Sequence, residues 1–290
     1  MTQIITHLSE ISAQYDALFV DLWGCVHNGV TALPEAVSAL QKYRAGGGKV
    51  ILVTNAPRAW AGVARQLVKF GVPDDAWDGI ATSGDSARFA MFQGAVGEKV
   101  WFLGQPHDLP FFDPLQLVED PVDIHQVSLE EAEGIVCTGP TDPMADPEVM
   151  RPQFLFAKQK GLKLLCANPD LVVDRGEIRE WCAGILAKLY TDMGGESLYF
   201  GKPHPPIYDL ARRRLAKLGG AIPDDRILCI GDGVLTDIRG AMGEDIDSLF
   251  ISGGLAAEET KTVTDPDPEL LTSFIHKEKV APRFTIGFLR

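Results

Sequence analysis

The chain has 290 residues, 46 % hydrophobic and 23 % charged, which is ample apolar surface for a buried core and excludes disorder as its main state. Its 40 acidic residues against 27 basic ones give a formal net charge of -13, a field that repels phosphate backbones and excludes nucleic acid as a partner. The apolar runs are far short of the ~20 residues that span a bilayer, and the opening MTQIITHLSEISAQYDALF lacks the basic start and small-residue cleavage site of a secretion signal.

In chain order, Ala17–Val20 reads as a buried strand and 33–43 as a helix, with Ala36, Val37, Leu40 and Tyr43 at helical spacing, Pro34 in the first turn and Gly46-Gly47-Gly48 beyond the end. Residues 50–53 form the next strand, and Trp60 reads as a core or interface residue. From about 84 to 196 the pattern restarts, with strands at 100–103, 134–137 and 162–167 and with loops rich in Pro and Asp, as in 138–143. Strands follow at 227–230 and 249–251, and 268–290 opens as a helix and ends on Phe284-Thr285-Ile286, which completes the sheet.

Continuous apolar strands separated by helices predict an α/β fold, with a parallel sheet covered on both faces. The expected organisation is a discontinuous core domain, 1–84 and 196–290, with an α/β domain inserted at 85–195 and tethered by two crossings. Such a pair of tethers would let the insertion open and close over a site. The five cysteines, 25, 137, 166, 182 and 229, show no CxxC spacing. They read as buried reduced thiols of a cytoplasmic protein.

In a parallel sheet, ligands bind beyond the carboxyl ends of the strands. Asp21 follows the first strand, Thr54-Asn55 the second, and Gly231-Asp232-Gly233 the strand at 227–230, with Asp237 shortly after. Carboxylates at two strand ends suit a hard divalent cation, since Mg2+ prefers one or two carboxylates together with substrate phosphate. A Thr hydroxyl suits phosphate oxygens. Lys202, in a Gly/Pro-rich turn before a helical stretch, could neutralise charge shared by a carboxylate and a phosphoryl group. Each feature alone is most often a turn, a helix cap or a solvated charge; their conjunction in order at successive strand ends carries the reading.

The motifs FVDLWGCVHNG at 19–29, ILVTNAPR at 51–58, YFGKPHPPIYDLA at 199–211 and ILCIGDGVLTDIRGAMG at 227–243 resemble those of the haloacid dehalogenase (HAD) superfamily, class IIA, the NagD-like hydrolases with a large α/β cap. TSGDSA at 82–87 and ANPDLVV at 167–173 are similar to the segments that lead into and lie within that cap. The resemblance implies a Rossmann-like core and Mg2+-dependent phosphoryl transfer from a small phosphorylated metabolite through a phosphoaspartate. Asp21 then matches the nucleophile and a metal ligand, with the backbone carbonyl of Trp23 as another ligand. Thr54 matches the phosphate-binding hydroxyl and Lys202 the charge-neutralising lysine. Asp232 and Asp237 match the acidic metal-binding positions. Asn55 would lie with Thr54 at the phosphate, and Asn168 and Asp170 match the substrate-facing cap loop, although Asn-Pro-Asp is equally an Asx-Pro turn. A homodimer through the cap is a further implication.

One departure stands out. Phosphatases of the family carry a second Asp two residues after the nucleophile, to protonate the leaving oxygen and later activate water; here that residue is Trp23. General acid–base help is worth ~10²–10⁴-fold. Three readings stay open: a substitute group, with His27 the candidate; substrates whose leaving group needs no acid; or a regulatory protein that binds a phospho-ligand and has lost turnover. Cys25 has no base placed for it by the sequence. The dehalogenase branch has Tyr at this position but a smaller cap and a different fourth motif.

Overall fold

The computed structural model describes residues 2–114, 118, 120–175 and 178–290. The backbone packs into two compact units: Met1–Thr54, Val63–Ala81 and Lys202–Arg290 in the first, Asn55–Gly62 and Thr82–Gly201 in the second.

The first unit is built on a seven-stranded sheet. Its spatial order is Gln3–Ile4, Phe284–Ile286, Asp247–Ile251, Ile227–Gly231, Ala17–Val20, Lys49–Thr54, Gly79–Thr82. Ala17–Val20 is an interior strand, parallel to both neighbours, with Val20 opposite Leu52 on one side and Ile230 on the other. Every residue of Ala17–Val20 and of Ile227–Gly231 is buried, the reason these strands are apolar throughout and do not alternate. Helices Pro34–Ala45, Pro205–Ala216 and Pro268–Glu278 each start on a proline, whose missing N–H costs nothing in the first turn. Asp267 caps the last of them by accepting from Glu269 N and Leu270 N, both at 3.0 Å, worth about 1 kcal/mol. Phe19, Ile51, Ile207, Tyr208 and Cys229 share one apolar cluster. In another cluster Phe250 lies beside Leu271 and stacks on Phe274 at 6.0 Å.

The second unit holds a five-stranded sheet ordered Glu196–Tyr199, Lys163–Cys166, Gly134–Cys137, Lys99–Leu103, His125–Gln126, all pairs parallel, and an antiparallel pair Val172–Arg175 with Ile178–Trp181. Helix Ser83–Phe92 is capped by Thr82, whose Oγ1 accepts from Asp85 N at 2.9 Å. Helix Ala183–Asp192 buries Ala183, Leu186, Ala187 and Tyr190, a stripe at helical spacing, against Ile135, Phe154 and Leu164. The Tyr190 hydroxyl donates to Leu162 O at 2.6 Å.

The division expected at 195/196 falls just ahead of Glu196–Tyr199, which the structure pairs with Lys163–Cys166. The segment Asn55–Gly62 belongs to the second unit although it follows directly on Lys49–Thr54 of the first sheet. Trp60 is 48 % exposed, so it is not a core residue. All five cysteines are buried thiols. Among the described residues, no helix is long and apolar enough to cross a membrane.

Candidate active site

Strand register brings the first unit's chemistry together. Val20 lies opposite Leu52 and Ile230, so Asp21, Thr54 and Asp232 stand at the same carboxyl end of three adjacent strands, where side chains leave the sheet. Asp21 N donates to Ile230 O at 2.8 Å, continuing the ladder to the edge of the site. Thr54 is the last residue of its strand and is buried.

Lys202 comes in from the segment before helix Pro205–Ala216. Its Nζ donates to Asp21 Oδ1 at 2.5 Å and to Asp237 Oδ1 at 2.7 Å, and the residue is only 3 % exposed. Asp237 lies in a π-helical turn, Val234–Ile238, that runs into helix Arg239–Gly243, an irregularity common at functional sites. Its Oδ2 accepts from Gly233 N at 3.1 Å. Asp232 Oδ2 accepts from Leu255 N at 3.0 Å. One ligand atom each of Asp21, Cys25 and Asp232 lies within 4.8 Å of the others. Gly24, at φ +76, is in the left-handed region, and a Cβ there would run into the Asp232 carboxylate.

The Lys202 ammonium is therefore shared by two buried carboxylates, Asp21 and Asp237, with the buried carboxylate of Asp232 close to Asp21. Burial, then the charges of Asp21 and Asp237, push the Asp232 carboxyl well above its ordinary range. Burial also raises Asp237, to about 6, against the pull of Lys202. Lys202 is raised despite its burial, because Asp21 and Asp237 hold its charge. Burial and the three carboxylates push the Cys25 thiol far up; it stays protonated, neither a nucleophile nor a ligand for a hard cation. The oxygen donor set, short of positive charge, fits a divalent cation such as Mg2+.

This balance sets a pH dependence. Asp232 and Asp237 hold protons more tightly in the folded chain than at the ~3.9 of an unfolded Asp. Without metal, these two carboxylates take stability away as pH rises above about 4. Carboxylates whose pKa is lowered, such as Asp16 and Asp78, contribute in the opposite sense below that window, and His27 and His204, lowered by burial, oppose the loss within it. The carboxylate contribution is therefore read as a difference: in chelator, Asp232→Asn should gain melting temperature over the unaltered chain as pH rises, and Mg2+ should raise the melting temperature of the unaltered chain more at the alkaline end.

Trp23 and His27 behave as one aromatic assembly. Trp23 meets His27 edge-on at 5.5 Å, and His27 meets Phe70 at 4.9 Å. Gly29 N donates to His27 Nδ1 at 3.0 Å. Burial lowers the His27 pKa to about 4, which favours an uncharged packing residue near neutrality and argues against it as the substitute acid. Gly29, at φ +84, would drive a Cβ into the Trp23 ring. Gly29→Ala should cost roughly 1–3 kcal/mol, read as a lower melting temperature with altered tryptophan fluorescence.

Asn55, Asn168 and Asp170 meet in the second unit. Asn55 Nδ2 donates to Asp170 Oδ1 at 2.8 Å, and Asp170 N donates to Asn168 Oδ1 at 3.0 Å. The Asn-Pro-Asp segment is thus an Asx turn, tied by its third residue to the segment that follows Thr54. Gly201 packs here too, against Asn55, Pro169 and Ser83. Sequence reasoning did not find Leu255, whose N–H anchors Asp232; the Gly253-Gly254 pair just beyond strand Asp247–Ile251 was the available signal.

Residues 18–116 match the family model described as haloacid dehalogenase-like hydrolase, and 199–275 match a second one described as HAD-hydrolase-like. A crystal structure of a haloacid dehalogenase-like family hydrolase from Brucella suis 1330 is 38 % identical, covers 99 % of this chain and 100 % of that one, and superposes with a TM-score of 0.85. The p-nitrophenyl phosphatase from Archaeoglobus fulgidus, 20 % identical, shares the fold, with a TM-score of 0.70 over 95 % of this chain and 97 % of that one. D-glycerol 3-phosphate phosphatase of Mycobacterium tuberculosis is 25 % identical over 89 % of this chain and 69 % of its own length. The chain belongs to the haloacid dehalogenase-like hydrolase family.

Proposed function

We propose that the chain is a Mg2+-dependent phosphoric monoester hydrolase that acts on a small phosphorylated metabolite through an aspartyl phosphate on Asp21. The observation that carries this reading is the buried Asp21–Lys202–Asp237 pairing, beside Asp232, at adjoining strand ends. A carboxylate held at 2.5 Å from a lysine is oriented, and approach of a phosphoryl dianion to it is made tolerable by the same cation.

In this reading Asp21 attacks phosphorus and the ester oxygen leaves with its bonding pair. Water then attacks the phosphorus of the phosphoaspartate and returns the carboxylate. Thr54 holds a phosphate oxygen, with Asn55 beside it. Lys202 offsets the charge that Asp21 and the phosphoryl group share. Asp21, Asp232, Asp237 and the Trp23 carbonyl would hold Mg2+, which supplies neutralisation of phosphoryl charge. Asp237 also steadies Lys202 from behind. The two ends of the chain act as catalytic core and the inserted segment as cap, whose Asn168 and Asp170 face the substrate. A cytoplasmic site of action and a homodimer complete the proposal. Phosphatases among the relatives favour the enzyme over a protein that only binds a phospho-ligand.

Phosphate release from p-nitrophenyl phosphate, with and without Mg2+, tests the reading; no metal-dependent release would overturn it. Asp232→Ala should raise the Mg2+ concentration for half-activation by roughly 10–100-fold, and an unchanged titration would remove Asp232 from the ligand set.

A further inference from the structure

Trp23 stands two residues beyond Asp21 and is built into the fold. Its indole lies over the Cα of Gly29, in space that any side chain there would fill. Its edge-on partner His27 is itself buried between Trp23 and Phe70. The loop behind is knotted by Gly24 N to His27 O at 2.9 Å and His27 N to Leu22 O at 3.1 Å. The ring is thus packed into the loop that follows Asp21 and is not a loose replacement.

That ring has no proton to give, since an indole N–H does not ionise near neutrality. His27 is packed into the loop: its Nδ1 accepts from Gly29 N, and its ring, 3 % exposed, meets Trp23 and Phe70 edge-on. Of the remaining carboxylates of the cluster, Asp237 accepts from Lys202 and Gly233 N and Asp232 accepts from Leu255 N, and on the reading above both would be ionised metal ligands in the loaded enzyme, with no proton to give.

On the reading above, and resting on it, we propose that Trp23 is a specificity-determining residue. It confines the enzyme to phosphoryl donors whose leaving group departs as a stable anion: acyl phosphates, aryl or enol phosphates and phosphoanhydrides, in place of simple alkyl esters. The Asp21 oxygen bonds to phosphorus, and the P–O bond to the leaving group breaks with its electron pair staying on the leaving oxygen. A carboxylate (conjugate-acid pKa about 4) accepts that pair without a proton, a phenolate (about 10) less readily, and an alkoxide least. The same missing group would have deprotonated the attacking water, so the phosphoaspartate is long-lived. Water takes the phosphoryl group in the slower second step, and its proton passes to solvent.

The test is a leaving-group series on the unaltered enzyme with Mg2+: acetyl phosphate, p-nitrophenyl phosphate, phenyl phosphate and glycerol 3-phosphate. We expect kcat/KM to fall by at least about 10²–10⁴-fold from the first two donors to the last. With p-nitrophenyl phosphate, a burst of about one nitrophenolate per site should precede the steady rate, with one phosphoryl group captured on the protein and none in Asp21→Asn. Trp23→Asp should raise glycerol 3-phosphate turnover by about 10²-fold or more and remove the burst. If that variant does not fold, the series decides alone. Donors turned over within about tenfold of one another would overturn the inference and leave the phosphatase reading standing. No turnover and no Asp21-dependent capture with any donor would overturn both.

Discussion

Asp21→Asn is expected to lose p-nitrophenyl phosphate turnover by on the order of 10⁴-fold or more, the scale seen when a covalent nucleophile is removed, while the protein melts no lower than the unaltered chain. Asparagine keeps an oxygen that can accept from Lys202 but cannot attack phosphorus as an anion. The stability half follows from the charge balance. Asp21 raises both Asp232 and Asp237, so neutralising it relieves repulsion among buried carboxylates, and Lys202 keeps Asp237 at 2.7 Å. In chelator above about pH 6, where those carboxylates are being forced to ionise, the variant should melt at the same temperature or higher. A structural role alone would give the reverse pattern, with lost activity and a lower melting temperature together. Full activity in the variant would remove Asp21 as nucleophile.

The parts of the fold that the sequence made legible are those whose burial leaves a local trace. Ala17–Val20 and Gly134–Cys137 are buried at every residue, so they read as unbroken apolar runs. Gln3–Ile4 left none: it is two exposed residues whose strand character comes from pairing with Phe284–Ile286 at the other end of the chain. Glu196–Tyr199, only partly buried, and the pair Val172–Arg175 and Ile178–Trp181 escaped for the same reason. Asp21, Thr54 and Asp232 were legible as candidates because residues just past strand ends are placed by the strands themselves. Lys202 and Asp237 were legible as candidates too, but the pairings among these residues were not. Nothing local says that Lys202 would bridge Asp21 and Asp237. His27 looked like a nearby imidazole; Phe70, the last residue of helix Trp60–Phe70, helps bury it and so keeps it uncharged.

Lys202→Met should be the most destabilising change in the site, as well as one of the most damaging to turnover. The substitution keeps most of the side-chain volume and removes the ammonium that Asp21 and Asp237 share. Breaking a buried ion pair from one side costs about 3–5 kcal/mol, mostly because the partner is left charged and unpaired. Here the partners can escape by taking up protons, so the deficit should be largest at alkaline pH in chelator and shrink toward about pH 5. Turnover should fall by about 10²–10³-fold, the cost of one lost electrostatic contact to developing charge. The double variant Lys202→Met with Asp237→Asn separates the two effects. Removing the orphaned carboxylate should restore most of the stability, since a neutral pair replaces an ion pair, but none of the activity, because Asp21 still faces the phosphoryl group without a cation. Recovery of turnover with stability would mean that Lys202 serves only to hold Asp237 in place.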